Sequence, residues 1–132
     1  MPIWIQAGQV MIDGPVFAIG ESSGLLVFSS AAAAEAEIET VDIEDEEERA
    51  RFFDSEGIEL LPEVVEPVGR WNSGRWRLLR PRVAEQHRDV LRGSLILSLT
   101  RVGYERTGAL PAELQRMELP RLVELISPYA DS

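Results

Sequence analysis

Six carboxylates occupy seven consecutive positions: Asp42, Glu44, Asp45, Glu46, Glu47 and Glu48, interrupted only by Ile43. Such a cluster could ligate a hard cation, supply an acid–base pair, or offer a negative field to a basic partner. A calcium loop needs D-x-[DN]-x-[DN]-G with a later glutamate, and DIEDEE has neither the glycine of the sharp turn nor the spacing. Glycoside chemistry needs two acids in different environments across a cleft. With 23 acids in the chain, proximity of two is not specific. His87 is the only histidine, and Glu85 and Asp89 stand two residues away, a spacing that turns them off its helical face. It reads as a structural or surface histidine. GESSG at 20 to 24 has the spacing of a nucleophile elbow around Ser22. That motif requires a strand-to-helix turn with acid and histidine downstream, whereas here a strand follows, so it reads as a hairpin turn. The expectation is therefore no catalytic residue, no metal and no cofactor.

What remains is the third use of the acids. The chain has 132 residues and a formal charge of −10. That balance opposes the phosphate-neutralising surface of nucleic-acid binders and docking on an anionic membrane. It favours a basic protein, because opposite fields speed encounter and penalise wrong partners. The charge is uneven: residues 1 to 69 hold sixteen acids and two arginines, and residues 70 to 132 hold seven acids and eleven arginines. All 13 basic residues are arginine, so no lysine can act as a Schiff base, and with no cysteine there is no disulfide or thiolate chemistry. MPIWIQAGQV lacks the basic and apolar regions of a secretory signal, and LILSL is too short to span a bilayer. The chain reads as a cytoplasmic protein of one domain.

The elements that must carry these residues are legible in part. VMI (10 to 12), Asp13-Gly14 and VFAI (16 to 19) predict a hairpin, with Phe17 and Ile19 on one face and Pro15 marking an edge strand. ESSG turns the chain into LLVF (25 to 28), completing an antiparallel meander. Ser29 and Ser30 before AAAAEAEIE predict a short, serine-capped helix. Glu35, Glu37 and Glu39 lie toward its C-terminal end, where the macrodipole disfavours them by a few tenths of a kcal/mol each, a cost that something else must offset. Val41 and Ile43 alternate with Asp42 and Glu44 as in a half-buried strand. ARFF (50 to 53) and IELL (58 to 61) flank the turn DSEG. PEVVEPVG (62 to 69) reads as irregular, and RWRLL (75 to 79) as a last strand entered through Asn72-Ser73-Gly74. A long helix is expected from 83 to 102, with Pro81 in its first turn, Val83, Val90, Ile96 and Leu97 widening the apolar stripe, and Gly103 at its end. LPAEL adds a turn, and a final helix runs from about 119 to 129. The expected fold is α+β: a mainly antiparallel sheet of about five to six strands, a short helix after the first meander, and two C-terminal helices packed on one face.

WNSGRW (71 to 76) sets Trp71 and Trp76 across a tight loop among Arg70, Arg75 and Arg77. The acidic field opposes base stacking. Cross-strand packing and a protein interface remain, since tryptophan and arginine are common anchors. Val41, Ile43, Phe52 and Phe53 are expected to pin the flanks of the acidic segment, so that it is presented rather than floppy and binding costs less ordering entropy.

The run GLLVFSSAAAAEAEIETVDIEDEEERARFFDSEGIEL resembles a pattern in small acidic bacterial proteins of the immunity type. There, a strand ending in VF-S leads to a short helix, VDIED, a strand, D-EG and another strand. LRGSLILSLTRVG and LPRLVELI are similar to their two C-terminal helices. The resemblance covers about two-thirds of the chain, and its motifs are structural, so no site residue carries over. Two departures stand out. Glu46 to Glu48 replace the glycine that follows VDIED in that pattern, and the loop at 71 to 76 has no counterpart. The resemblance implies a non-enzymatic protein that guards against a toxin. The expected partner is thus a basic toxin domain, bound through Asp42, Glu44, Asp45, Glu46, Glu47, Glu48, Trp71 and Trp76. The alternative is a ligand-binding or scaffold domain, self-associating as a homodimer through the Trp71–Trp76 loop or an open sheet edge.

Overall fold

The computed structural model describes residues 9–20, 24–81 and 86–130. Five strands of four to eight residues form the sheet: β2 (Val16–Ile19), β3 (Leu25–Phe28), β4 (Arg51–Asp54), β5 (Glu59–Glu66) and β6 (Arg75–Pro81). A two-residue strand, β1 (Gln9–Val10), adds a sixth at one margin. The order is β1-β6-β5-β4-β2-β3, and every pairing is antiparallel. The helices are α1 (Ala31–Glu37), α2 (Thr40–Glu44), α3 (Arg88–Val102), α4 (Tyr104–Thr107), α5 (Pro111–Leu114) and α6 (Leu119–Ile126), the last followed by a 3₁₀ turn at Ser127–Tyr129. The α+β reading holds, with the C-terminal helices α3 and α6 on one face.

Strand alternation divides the core in two. Phe17, Val27 and Phe53 point to one side and pack with Leu91, Leu95, Leu99, Leu114, Leu122 and Ile126 of the C-terminal helices. Val16, Ala18, Phe28, Phe52, Leu60, Trp76 and Leu78 point to the other and pack with Ala34 of α1 and Ile43 of α2. The sheet is thus covered on both faces, by different parts of the chain.

Several local expectations hold for their stated reasons. Ser30 caps α1, its Oγ accepting from the Ala33 N–H at 3.0 Å. Gly103 ends α3 with φ at +98°. DSEG closes the β4–β5 hairpin around buried Asp54, whose carboxylate accepts the N–H groups of Glu56 and Ile58 and the Arg80 guanidinium. Glu35 answers the cost noted for α1: its Oε2 accepts the Leu78 N–H at 2.8 Å, tying α1 to β6.

Others are corrected. Asp13-Gly14 closes no hairpin, because β1 pairs with β6, and three strands separate it from β2. Pro15 marks no edge, since β2 runs between β3 and β4. Residues 62 to 66 are not irregular but continue β5 through Pro62, which lies opposite Leu78. The β4–β5 pairing reaches only Phe52–Leu60, so beyond it one side of β5 needs no donor. Pro81 ends β6 rather than starting a helix, and α3 begins at Arg88. The expected start of that helix at 83 falls outside the described residues, as does most of the ESSG turn. Of the residues expected to widen the α3 stripe, Ile96 is buried, whereas Val90 and Leu97 are exposed.

Candidate functional site

The acidic segment begins with a departure from expectation. Residues 40 to 44 form a helical turn, α2, not a strand. Thr40 and Ile43, three positions apart, are buried, and this spacing turns Val41 outward to 51% exposure. Val41 therefore does not pin the segment; Ile43, Phe52 and Phe53 do, each fully or almost fully buried. Asp42, Glu44, Asp45, Glu46, Glu47 and Glu48 are all exposed.

The turn after α2 is ordered by its own first acid. Asp45 Oδ1 accepts the N–H groups of Glu47 and Glu48, both at 3.2 Å, and the Asp45 carbonyl accepts from Arg49 N at 2.9 Å. The Arg49 guanidinium turns back onto the Ile43 carbonyl at 3.3 Å instead of neutralising the acids. Among the described residues no arginine lies within ion-pair distance of the six carboxylates. Four arginines are paired elsewhere: Arg51 with Glu59, Arg77 with Glu63, Arg80 with Asp54 and Glu56, Arg121 with Glu124.

The tryptophan loop joins β5 to β6 and packs beside α2. Asn72 Oδ1 accepts from Gly74 N at 2.7 Å, shaping the turn. Gly74 has φ at +80°, and a Cβ there would lie 2.8 Å from Thr40 Cγ2 and 2.9 Å from the Glu66 carbonyl oxygen. Only a glycine lets α2 approach the loop this closely. The two tryptophans part company. Trp76 is 3% exposed, packs at a tilt against Phe52 with centroids 5.4 Å apart, and donates its Nε1–H to the Ile38 carbonyl at 2.8 Å. It belongs to the core and reaches the surface only as part of a cleft wall. Trp71 is 88% exposed, with the Arg70 guanidinium 5.4 Å above its ring.

Thus the fold brings together the two segments that the sequence singles out separately. A cleft of about 360 Å³ lies between them, lined by Glu39, Val41, Val68, Ser73, Arg75 and Trp76 among others. On the other side of α2 a second groove, about 590 Å³, is lined by Leu26, Val41, Asp42, Asp45, Glu48 and Arg49 among others. Val41 is common to both, with Leu26 and Val68 also exposed. This apolar row, rimmed by acids, is what sequence reasoning missed. Reading TVDIE with a helical period, Thr40 and Ile43 inside, would have exposed Val41.

The remaining candidates are tied into the scaffold. His87 lies at the N-cap of α3, not within it, and its backbone N–H donates to the Gly57 carbonyl at 2.7 Å. Its ring stands edge-on to Phe53, and Nε2 is 3.8 Å from Glu59 Oε1. The hydrogen bonds from Arg51, at 2.9 and 3.1 Å, hold the Glu59 carboxyl below the usual carboxylate range, against the opposing pull of its partial burial. The same bonds raise Arg51. Among the described residues no group of three or more acids and histidines is placed to hold a metal ion, and no helix is long and apolar enough to cross a membrane.

Comparison with family models, curated proteins and solved structures finds no match to this chain.

Proposed function

We propose that this chain is a binding protein of the immunity type, acting in the cytoplasm without chemistry of its own. It would block a basic toxin domain through the acidic turn and its neighbours. One observation carries this reading: six exposed carboxylates on α2 and the ordered turn after it close no ion pair among the described residues, and three of them, Asp42, Asp45 and Glu48, line a groove with the exposed Val41 and Leu26. Carboxylates at Asp42, Glu44, Asp45, Glu46, Glu47 and Glu48 can stand in for the phosphates of an anionic substrate and accept charge-assisted bonds from arginine or lysine. Val41, Leu26 and Val68 supply apolar contact, and Trp71 is the anchor at the margin. Because Asp45 already orders the turn, binding forfeits little conformational entropy.

The test uses two baits side by side, the wild-type chain and the triple variant Glu46→Gln, Glu47→Gln, Glu48→Gln, in lysate of the source cell at low and high salt. The expected result is a basic protein held by the wild type at low salt, released at high salt, and held poorly by the variant. With the retained protein purified, the variant should associate about tenfold more slowly at low salt and show a flatter salt dependence. Equal retention by both baits would remove the acidic turn from the interface.

A second reading, a small ligand in the cleft beside Gly74, draws on the cleft's volume, which falls at the lower end of small-molecule sites. A metabolite screen by thermal shift, with Val68→Glu as the blocked control, separates it from the first.

A further inference from the structure

Leu26, Ala18, Phe52 and Leu60 stand opposite one another across β3, β2, β4 and β5, on the side of the sheet that α1 and α2 cover. Ala18, Phe52 and Leu60 are buried, whereas Leu26, at the end of the row, is 44% exposed. Between Leu26 and α2 runs the groove of about 590 Å³. Its lining is apolar at Leu26, Val41 and Phe52, and it also carries the carboxylates of Glu37, Asp42, Asp45 and Glu48. Among the described residues only Arg49 brings a positive charge to this lining, and its guanidinium is turned onto the Ile43 carbonyl.

The cleft on the other side of α2 differs in charge. It sets Glu35 and Glu39 against Arg75, and Glu35 already accepts the Leu78 N–H. A cation therefore gains most on the Leu26 side. The six acids of the segment divide there too. Asp42, Asp45 and Glu48 line the groove, whereas Glu44, Glu46 and Glu47 line neither it nor the cleft.

We propose that this groove takes a basic, amphipathic segment of a partner protein. A lysine or arginine of that segment sets its head among Asp42, Asp45 and Glu48. Its aliphatic stem and an apolar neighbour lie on Leu26 and Val41. Long basic side chains bury their stems on apolar surface and keep the charged head among polar groups, and the groove offers both. Its volume falls in the middle of the range for small-molecule sites, so there is room for more than one side chain. Asp42 and Glu48 then hold the segment by contact, while Glu46 and Glu47 act through their field alone, which salt screens. The inference rests on the reading of the acidic turn as a binding surface, and adds which acids touch the partner and what chemistry they touch.

The test is an NMR titration of the full ¹⁵N-labelled chain with a blocked hexapeptide of alternating arginine and leucine, at roughly 0.02 and 0.15 M salt. A second peptide, with serine for leucine, carries the same charge. The arginine–leucine peptide should shift the amide signals of Leu26, Val41, Asp42 and Glu48, leave those of Val68 and Ser73 in place, and bind at least about fivefold tighter than its serine counterpart. Two double variants each remove two charges, so a difference between them reports contact and not field. Asp42→Asn with Glu48→Gln should raise the Kd about tenfold, and Glu46→Gln with Glu47→Gln no more than about threefold. Leu26→Thr, which keeps every charge and suits a strand, should abolish the preference for leucine over serine. Equal weakening by the two double variants would overturn the proposal. So would shifts centred on the cleft beside Gly74, equal affinity for the two peptides, or no binding at either salt. Peptide in the groove with no basic protein retained from lysate would remove the toxin reading and keep this one. A basic protein retained while the peptides leave the groove empty would do the reverse.

Discussion

Gly74→Ala is the substitution that most directly probes how the acidic turn is held in place. Gly74 combines a left-handed backbone with contact on two sides. At φ +80° any residue with a Cβ is strained by about 1 to 2 kcal/mol. The new Cβ would also sit 2.8 Å from Thr40 Cγ2 and 2.9 Å from the Glu66 carbonyl oxygen, closer than carbon tolerates. Glu66 belongs to the strand backbone, so Thr40 must give way, and with it the start of α2. Overpacking of this kind costs about 1 to 3 kcal/mol, bringing the total to roughly 3 kcal/mol. At about 3 to 5 °C per kcal/mol for a domain of this size, Tm should fall by about 10 °C. Gly14→Ala is the control: φ is +78°, but nothing lies within 4 Å of its Cβ, so it should show the backbone strain alone. Thermal and urea denaturation of the three chains measures the difference. If Gly74→Ala cost no more than Gly14→Ala, α2 would not be locked against the β5–β6 loop, and the composite surface would lose its basis.

Trp76→Phe should destabilise by about 1 to 3 kcal/mol, since it leaves the Ile38 carbonyl without its donor, whereas Trp71→Ala should change stability by no more than about 0.5 kcal/mol. Urea titration checks both, and the reverse order would place the wrong tryptophan in the core. Glu59 gives a pH dependence of definite sign. Its folded-state carboxyl is held below its unfolded value by Arg51, so its stabilisation is present above the ordinary carboxylate range and lost as pH falls through the folded value. The stability gap between wild type and Glu59→Gln should shrink as pH drops below about 4, from no more than about 1 kcal/mol at neutral pH, because both partners are partly exposed. A gap that widens on acidification contradicts this assignment.

Much of the local structure follows from residue chemistry alone, because short-range rules act within a few positions. The serine cap of α1, the DSEG turn between β4 and β5, the stop at Gly103 and the apolar stripe of α6 needed no tertiary information. Where sequence reasoning failed, a longer-range partner overrode a local pattern. TVDIE alternates like a strand, but burial of Thr40 against Gly74 and of Ile43 in the core selects a helical turn. Five residues are too few for periodicity to decide between the two. Asp13-Gly14 looks like a hairpin, yet β1 finds its partner in β6, about seventy residues away along the chain.

The candidate surface divides in the same way. The sequence by itself determined that the chain is strongly acidic, that its acids concentrate at 42 to 48, and that no strong catalytic motif competes with them. Only the tertiary structure decided that Trp76 is interior and Trp71 exterior, since the two differ in facing, not in type. Only packing turned Val41 outward between two grooves and set the tryptophan loop beside α2. Charge and turn propensity are properties of residues, while exposure is a property of what has folded against them.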